Sequence, residues 1–206
     1  MADSIHVKLP DGSVKEVPKG TTALDIAKGI SPRLADAALA AKISSNGEQA
    51  GEGVARPTLI DLTRPLDKDT DLTLLTEKSP EALEIYRHSS AHLLAAAVLE
   101  LFPETKLGHG PATESGFFYD FYRLTPFTPE DLEKIEKKMQ ELVQQNIPYA
   151  REFLPRDQGL AEFKKEGDFM KCHFIEQFTK PDEKISIYRT GKFVDFCRGP
   201  HIPSTG

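Results

Sequence analysis

Two histidines in one short stretch are the first residues whose types and spacing could do chemistry. The stretch YRHSSAHLL, residues 86–94, places His88 and His92 four residues apart. On a helix that spacing puts both imidazoles on one face, about 40° apart around the axis. We expect a different, mainly apolar stripe to face the core, made of Tyr86, Ser90, Leu93, Ala97 and Leu101. The histidines are therefore expected to line another surface.

A second stretch, VDFCRGPH at residues 194–201, supplies a carboxylate, a thiol and a third imidazole. Because side chains alternate along a strand, Asp195 and Cys197 should share one face. The Gly-Pro pair that follows predicts a turn, which can bring His201 back toward that face. We expect the two stretches to meet in the fold and to form one site.

Two kinds of site are compatible with these residue types. Three imidazoles and a thiolate, from His88, His92, Cys197 and His201, could close a tetrahedron around zinc. Such an ion would be structural, because no position would remain open for water or substrate. In the other interpretation the site is metal-free, and the imidazoles, Asp195 and Cys197 orient a water for acid or base catalysis near neutral pH.

The two motifs, in this order, resemble one enzyme family. YRHSSAHLL followed later by FVDFCRGPH is similar to the editing domain of bacterial threonyl-tRNA synthetases, and the front segment resembles their TGS domain. GHGPATESGFFYDF resembles the family's strand-turn-strand segment, with Phe118 where the family usually has tyrosine. Alanyl-type editing domains share the paired motifs but lack the TGS segment. The resemblance covers essentially the whole chain.

The resemblance implies an editing site built from both motifs and one lysine. The implied catalytic residues are His88, His92, Lys171 and Asp195, and the implied substrate-binding residues are Asp195, Cys197 and His201. Lys171 stands where the family has a lysine after a Gly-Asp or Gly-Glu pair. We expect Lys171 and His88 near the ribose and the attacking water, and Asp195 at the substrate's α-amino group.

The resemblance also implies a reaction. A synthetic site that accepts threonine cannot strongly exclude serine, since a missing methyl group changes binding by only about 1 to 3 kcal/mol. The second site would hydrolyse mischarged seryl-tRNA(Thr), within an enzyme that uses ATP to ligate threonine to tRNA(Thr). We expect no ligase activity from this chain alone, because ATP, magnesium and the family's catalytic zinc belong to a core beyond this region.

No cofactor is implied within this region, and zinc at His88, His92, Cys197 and His201 is the alternative, as in the alanyl relatives. The implied partners are the acceptor end of tRNA(Thr), seryl-tRNA(Thr) and the rest of a synthetase that is homodimeric through its other domains. Two further alternatives are a freestanding trans-editing deacylase and a zinc-stabilised, non-catalytic binding module.

The elements that must position these residues form an α+β pattern in two parts. Residues 1–77 predict a small ubiquitin-like, β-grasp unit, identified by the resemblance as TGS. Its predicted elements are a hairpin around Asp11-Gly12, a helix from Thr22 to Gly29, a polar stretch over 44–53, and strands near 58–62 and 72–75. Residues 78–206 would form the editing domain, which in the family continues beyond this point.

Capping signals and periodicity divide this second part into helices and strands. Ser79 and Pro80 predict the start of the histidine-bearing helix, which should end before Pro103. Gly116 is expected in a turn that needs a positive φ. The other predicted elements are a helix opening at Thr128, a helix over 158–165, and strands over 169–174, 184–188 and 192–197.

Composition limits the class of protein. The net charge of −6 argues against binding nucleic acid through bulk electrostatics, so any such contact should be local. The N-terminus has no basic and apolar leader, and no apolar stretch is long enough for a membrane span. We therefore expect a soluble, cytoplasmic protein in which Cys172 and Cys197 are reduced.

Overall fold

The computed structural model describes residues 3–44 and 57–206 of the chain. Helices and strands are mixed along the sequence, so the predicted α+β class is confirmed. The chain divides into two compact units: Met1–Leu83 with Gly199–Pro203, and Glu84–Arg198 with Ser204–Gly206. The domain limits predicted from sequence, 1–77 and 78–206, stay a prediction.

The first unit is a mixed sheet with short helices. Its described elements are β1 (Ser4–Lys8), β2 (Val14–Pro18), α1 (Ala23–Ile30), α2 (Pro32–Ala37), β3 (Ala38–Ser44), β4 (Thr58–Ile60) and β5 (Thr70–Thr76). The strand order is β2-β1-β5-β3-β4, with β1 and β5 parallel and the other neighbours antiparallel. Helix α1 packs against β3 and β5, as expected for a ubiquitin-like unit.

Local signals explain most of this unit. Ile5 and Val7 are buried while their neighbours along β1 are exposed, so one face of the strand joins the core. Gly12 has a φ of 84° in the hairpin, which confirms the predicted turn. Thr22 and Asp25 form a capping box at the start of α1, so the predicted N-cap is also confirmed.

One strand of this unit was not predicted. The segment of β3 is rich in alanine, a strong helix former, but it pairs with β4 and β5 through most of its length. Pairing on both edges and burial of Ala40 and Ala41 outweigh that local preference. The predicted polar stretch over 44–53 lies, apart from Ser44, outside the described residues.

The second unit carries the longer helices. Its elements are α3 (Ala82–Leu101), β6 (Lys106–Leu107), β7 (Phe121–Tyr122), α4 (Pro129–Gln145), β8 (Ala150–Pro155), α5 (Arg156–Lys165), α6 (Phe169–Phe178), β9 (Lys184–Thr190) and β10 (Phe193–Phe196). The antiparallel order β10-β9-β8 forms one sheet, and β6 pairs with β7. The predictions of α4, α5, β9 and β10 are confirmed.

Two apolar clusters hold the second unit together. One joins α3 to α4 through side chains that include Ala91, Val98, Ile135 and Leu142. The other is formed by α5, α6 and β9, from Leu160, Phe163, Cys172, Ile175, Ile185 and Ile187. Because α5 and α6 pack in the same cluster as β9, the position of α6 relative to the sheet is set by core packing.

The predicted strand over 169–174 is wrong, since these residues begin helix α6. Asp168 is the N-cap of this helix, and its side chain accepts a hydrogen bond from the backbone of Lys171. Cys172 and Ile175 are buried at a helical interval of three. Phe169, Lys171 and His173 therefore do not share one face, as a strand would have required.

Three local predictions around α3 are also wrong. The helix begins at Ala82 rather than Pro80, and the Ser79 hydroxyl accepts from the backbone of Thr76 instead of capping α3. Tyr86 is 41% exposed, whereas His92 is 2% exposed. Apolar residues surround most of α3, so the sequence alone does not define one core stripe. Gly116 does not adopt a positive φ, and its turn is closed by hydrogen bonds with Thr113.

No helix in the described ranges is long and apolar enough to cross a membrane.

Candidate functional site

Helix α3 presents the two histidines at different depths. The ring centroids of His88 and His92 lie 5.1 Å apart with the planes nearly perpendicular. His92 is buried and lies edge-on to the ring of Phe193, 5.5 Å away. His88 is half-buried. The i,i+4 spacing therefore gives one imidazole inside the core and one toward the surface.

The strand motif meets this helix, as predicted. The Sγ atom of Cys197 lies 3.3 Å from Nε2 of His88, although the residues are 109 positions apart in sequence. Oδ2 of the buried Asp195 lies 3.5 Å from Nε2 of His92. Pairing of β10 with β9 fixes Asp195, and the Cys197 amide continues the sheet by donating to the Ser186 carbonyl.

Lys171 reaches the same cluster from helix α6. Its Nζ atom donates to the Gly108 carbonyl at 2.9 Å and to the Tyr119 hydroxyl at 3.1 Å. The third contact is an ion pair with Oδ1 of Asp195 at 2.5 Å. An ammonium group has three N–H donors, so each has an acceptor. The structure therefore brings together five predicted residues: His88, His92, Lys171, Asp195 and Cys197.

Tyr119 belongs to this cluster but was not predicted as a site residue. Its hydroxyl donates to Oδ2 of Asp195 at 2.6 Å. Burial raises the pKa of Tyr119 well above its usual range, and the Asp195 carboxylate raises it further. The hydroxyl therefore stays protonated and remains a donor. A sequence signal did exist, because Tyr119 stands in the aromatic segment GFFYDF that resembles the family.

Two glycines make room for this tyrosine segment. A Cβ on Gly110 would lie 2.2 Å from Cδ2 of the Tyr119 ring, and a Cβ on Gly108 would lie 2.7 Å from Cβ of Asp120. Both distances are far below van der Waals contact. The Tyr119 ring can lie against Gly110, and Asp120 against Gly108, only because these two positions have no side chain.

Burial sets the charge of His92. Loss of solvation lowers its pKa well below the usual range, and the nearby His88 and Lys171 act in the same direction. Asp195 does not reverse the shift, because the Lys171 ammonium already balances its carboxylate. His92 is therefore a neutral imidazole near pH 7.

A metal ion also fits the donor set. His88, His92 and Cys197, all in the second unit, each offer one ligand atom, and these atoms lie within 4.8 Å of one another. Nitrogen and thiolate ligands are those that zinc prefers. The set could therefore hold a metal ion.

Comparison with known proteins gives this site a context. Residues 5–76 match the TGS domain, and residues 185–206 match the threonyl and alanyl tRNA synthetase second additional domain. The chain is 58% identical to the threonine–tRNA ligase of Acidobacterium capsulatum over 226 residues, which cover 100% of this chain and 33% of the relative. It is 44% identical to the same enzyme of Hyphomonas neptunium, across 98% of this chain and 29% of the relative. The chain thus spans about a third of the length of these curated relatives.

Together, the ubiquitin-like unit and the histidine-cysteine site define the TGS and editing class of aminoacyl-tRNA synthetase domains. Within that class, the chain matches the N-terminal TGS and editing region of the threonyl-tRNA synthetase family. The family assignment drawn from the motifs is therefore confirmed.

Proposed function

We propose that this site hydrolyses seryl-tRNA(Thr) as the proofreading step of an enzyme that ligates threonine to tRNA(Thr). The proposal rests on the contact between a buried group and a half-buried group of polar residues. Lys171, Asp195 and Tyr119 form a buried polar cluster, and His88 with Cys197 continues it toward the surface. An ester hydrolase needs groups that orient a water and compensate developing charge, and this cluster offers both.

The half-buried residues are the natural place for the ester and its attacking water. His88 and Cys197 are partly accessible, whereas the side chains of Lys171 and Asp195 are only 4% and 3% exposed. An imidazole at the accessible end can hold a water by one nitrogen and pass a proton. We assign this role to His88, and we assign stabilisation of charge on the ribose or carbonyl oxygen to the Lys171 ammonium.

Asp195 can recognise the α-ammonium group of the substrate only by exchanging partners. Its two oxygens already contact Lys171, Tyr119 and His92. A bound seryl group would therefore compete with Lys171 for the carboxylate, and the released ammonium would become available to the substrate. In this mechanism Lys171 acts only when an amino acid with a free α-amino group is present.

Exposed aromatic side chains near this cluster support tRNA as the partner. Phe174 and Phe178 stack with an angle of 27° between their planes, and Phe169 packs edge-on against Tyr122. Phe169, Phe178 and Tyr122 are each more than half exposed. Unpaired nucleotides are recognised by stacking on such rings. This contact suits the acceptor end and does not require a basic surface.

A deacylation assay tests the proposal. The chain should release serine from seryl-tRNA(Thr) faster than threonine from threonyl-tRNA(Thr), because the additional methyl group crowds the site. His88→Ala should slow serine release about 100-fold or more, since it removes the proposed proton-transfer group. His6→Ala is the matched control, because His6 lies on β1 in the first unit. Equal rates for the His88 and His6 variants would contradict the assignment.

A zinc-stabilised binding module is the second candidate, and the donor set of His88, His92 and Cys197 favours it. A zinc ion bound by His88, His92, Cys197 and His201 would stabilise the fold rather than catalyse, because the four ligands would fill its coordination shell. A freestanding trans-editing deacylase would use the same residues as the first proposal. A cytoplasmic location and a homodimeric parent enzyme remain predictions.

A further inference from the structure

Asp168 is a buried acid beside the site that the proposed mechanism does not use. Asp168 is 9% exposed and lies directly before helix α6. Oδ1 of Asp168 accepts a hydrogen bond from the backbone N–H of Lys171 at 3.1 Å. The side chain therefore holds the first turn of the helix that carries the site lysine.

Strand β6 lies on the other side of Lys171. Leu107, at the end of β6, is close enough to Asp168 for its backbone N–H to lower the pKa of that carboxyl. The next residue is Gly108, whose carbonyl accepts from Lys171 Nζ at 2.9 Å. Asp168 thus lies between the first turn of α6 and the segment that supplies an acceptor for the Lys171 ammonium.

The backbone of Asp168 is itself fixed by the turn between α5 and α6. Its N–H donates to the Phe163 carbonyl at 2.9 Å, and the Gly167 N–H donates to the Lys164 carbonyl at 3.1 Å. Gly167 has a φ of 65°, a left-handed conformation that glycine adopts without strain. The direction of the Asp168 side chain is therefore determined by the fold of the loop.

We propose that Asp168 is a positioning residue that sets the location of the Lys171 ammonium relative to Gly108 and Asp195. Burial raises the pKa of Asp168, and the hydrogen bonds from Lys171 and Leu107 oppose that shift. The buried acid therefore has a solvation cost that a simple helix cap would avoid, because an exposed serine caps a helix about as well. The consequence for catalysis rests on the proposed function of Lys171, whereas the positional role does not.

Chemical labelling tests the position of Lys171 without any tRNA. Acetic anhydride would be applied to the intact chain, and acylation of Lys171 would be measured by mass spectrometry relative to Lys134, whose side chain is 61% exposed. Asp168→Ser retains a cap for the Lys171 amide but removes the buried carboxylate. We expect this variant and Asp168→Ala to raise Lys171 acylation about tenfold, because the ammonium loses its fixed surroundings.

Thr128→Ala is the matched control, because it removes the N-cap of α4, a helix that does not carry Lys171. It should leave Lys171 acylation unchanged although it weakens a helix by a similar amount. Lys171 acylation within about twofold of wild type in the folded Asp168→Ser chain would overturn the proposal. If Asp168→Ala does not fold by circular dichroism, Asp168→Ser alone decides.

Deacylation then separates this inference from the proposed function. Asp168→Ser should lower kcat on seryl-tRNA(Thr) with KM unchanged, and it should cause no further loss in a Lys171→Met background, because it acts through Lys171. Equal losses in both backgrounds would contradict the positioning role. A wild-type chain that is inactive on seryl-tRNA(Thr) would refute the proposed function, while the labelling result would still decide the role of Asp168.

Discussion

Lys171 has three hydrogen-bond donors, and in the folded chain they contact a carbonyl, a hydroxyl and a carboxylate. Its side chain and that of Asp195 are 4% and 3% exposed. Alanine at Lys171 would therefore remove more than a reacting group, because it would leave a buried carboxylate without its counter-charge. A test of Lys171 must therefore separate the loss of stability from the loss of chemistry.

The first prediction concerns this ion pair. Lys171→Met should lower the free energy of unfolding by about 3–5 kcal/mol, because Asp195 is left unpaired in the interior. Adding Asp195→Asn should recover most of that loss, since the remaining groups are neutral. Urea unfolding at pH 7 would measure both. Lys134→Met, at an exposed pair with Asp131, should change stability by less than about 1 kcal/mol. Equal stability of the single and double variants would contradict the pairing argument.

The second prediction concerns Tyr149, whose hydroxyl donates to the Ser89 carbonyl of α3 at 2.8 Å. Burial raises the pKa of Tyr149. Above pH 10 the unfolded chain releases this proton while the folded chain retains it, so stability should fall as pH rises. Tyr149→Phe should flatten that fall by up to about 1.4 kcal/mol per pH unit, measured by urea unfolding between pH 9 and about 11. Tyr86→Phe, at an exposed site, is the control, and an identical slope in both variants would exclude this account.

At the scale of elements, close packing of α5 on β9 limits what position 159 can hold. A Cβ on Gly159 would lie 2.2 Å from Cδ1 of Ile185, a buried side chain of β9. Glycine is otherwise unfavourable inside a helix by about 1 kcal/mol relative to alanine. Its presence in α5 is therefore explained by the approach of the strand.

The third prediction follows from that contact. Gly159→Ala should destabilise the chain by about 1–3 kcal/mol, because overpacking outweighs the gain in helix propensity. Ile185→Val removes Cδ1 and should recover part of the loss in the double variant. Gly29→Ala is the control, because its Cβ would meet nothing within 4 Å, and it should stabilise the chain. Thermal unfolding measures all four variants, and a stabilised Gly159→Ala chain would disprove the packing argument.

The elements also show what the sequence could predict. Capping residues and periodicity identify α1 and α4, because these signals depend on neighbours in sequence. The sequence of helix α6 predicts a strand, since its apolar residues are spread around the helix rather than gathered on one face and therefore show no helical period. The strand β3 was missed because its pairing partners are distant in sequence.

The same distinction holds for the candidate site. The meeting of His88 with Cys197 was predictable from two motifs, each with its own local geometry. The contacts of Lys171 with Tyr119 and Asp195 were not, because they depend on how α6 packs against β6 and β10. Residue types could indicate the chemistry of the site. The pairing of Lys171 with Asp195 depends on the tertiary structure and could not be predicted from them.

At the scale of the whole molecule, metal content separates the two proposed functions. We expect the purified, chelator-washed chain to retain its melting temperature and to contain less than stoichiometric zinc, because His88 and Cys197 can satisfy each other by a hydrogen bond. Inductively coupled plasma mass spectrometry and thermal unfolding would measure this. Cys197→Ser is the control variant. Stoichiometric zinc that is lost together with the fold would favour the binding module.

The absence of a side chain at Gly110 limits which substitutions this protein can accept. The Tyr119 ring occupies the volume that any larger residue at position 110 would fill. A single methyl group there would push the phenol off the Asp195 carboxylate, although neither residue had been altered. Position 110 is therefore limited to glycine by the volume of a neighbouring ring, and Gly110→Ala should impair the site although it alters none of the charged side chains.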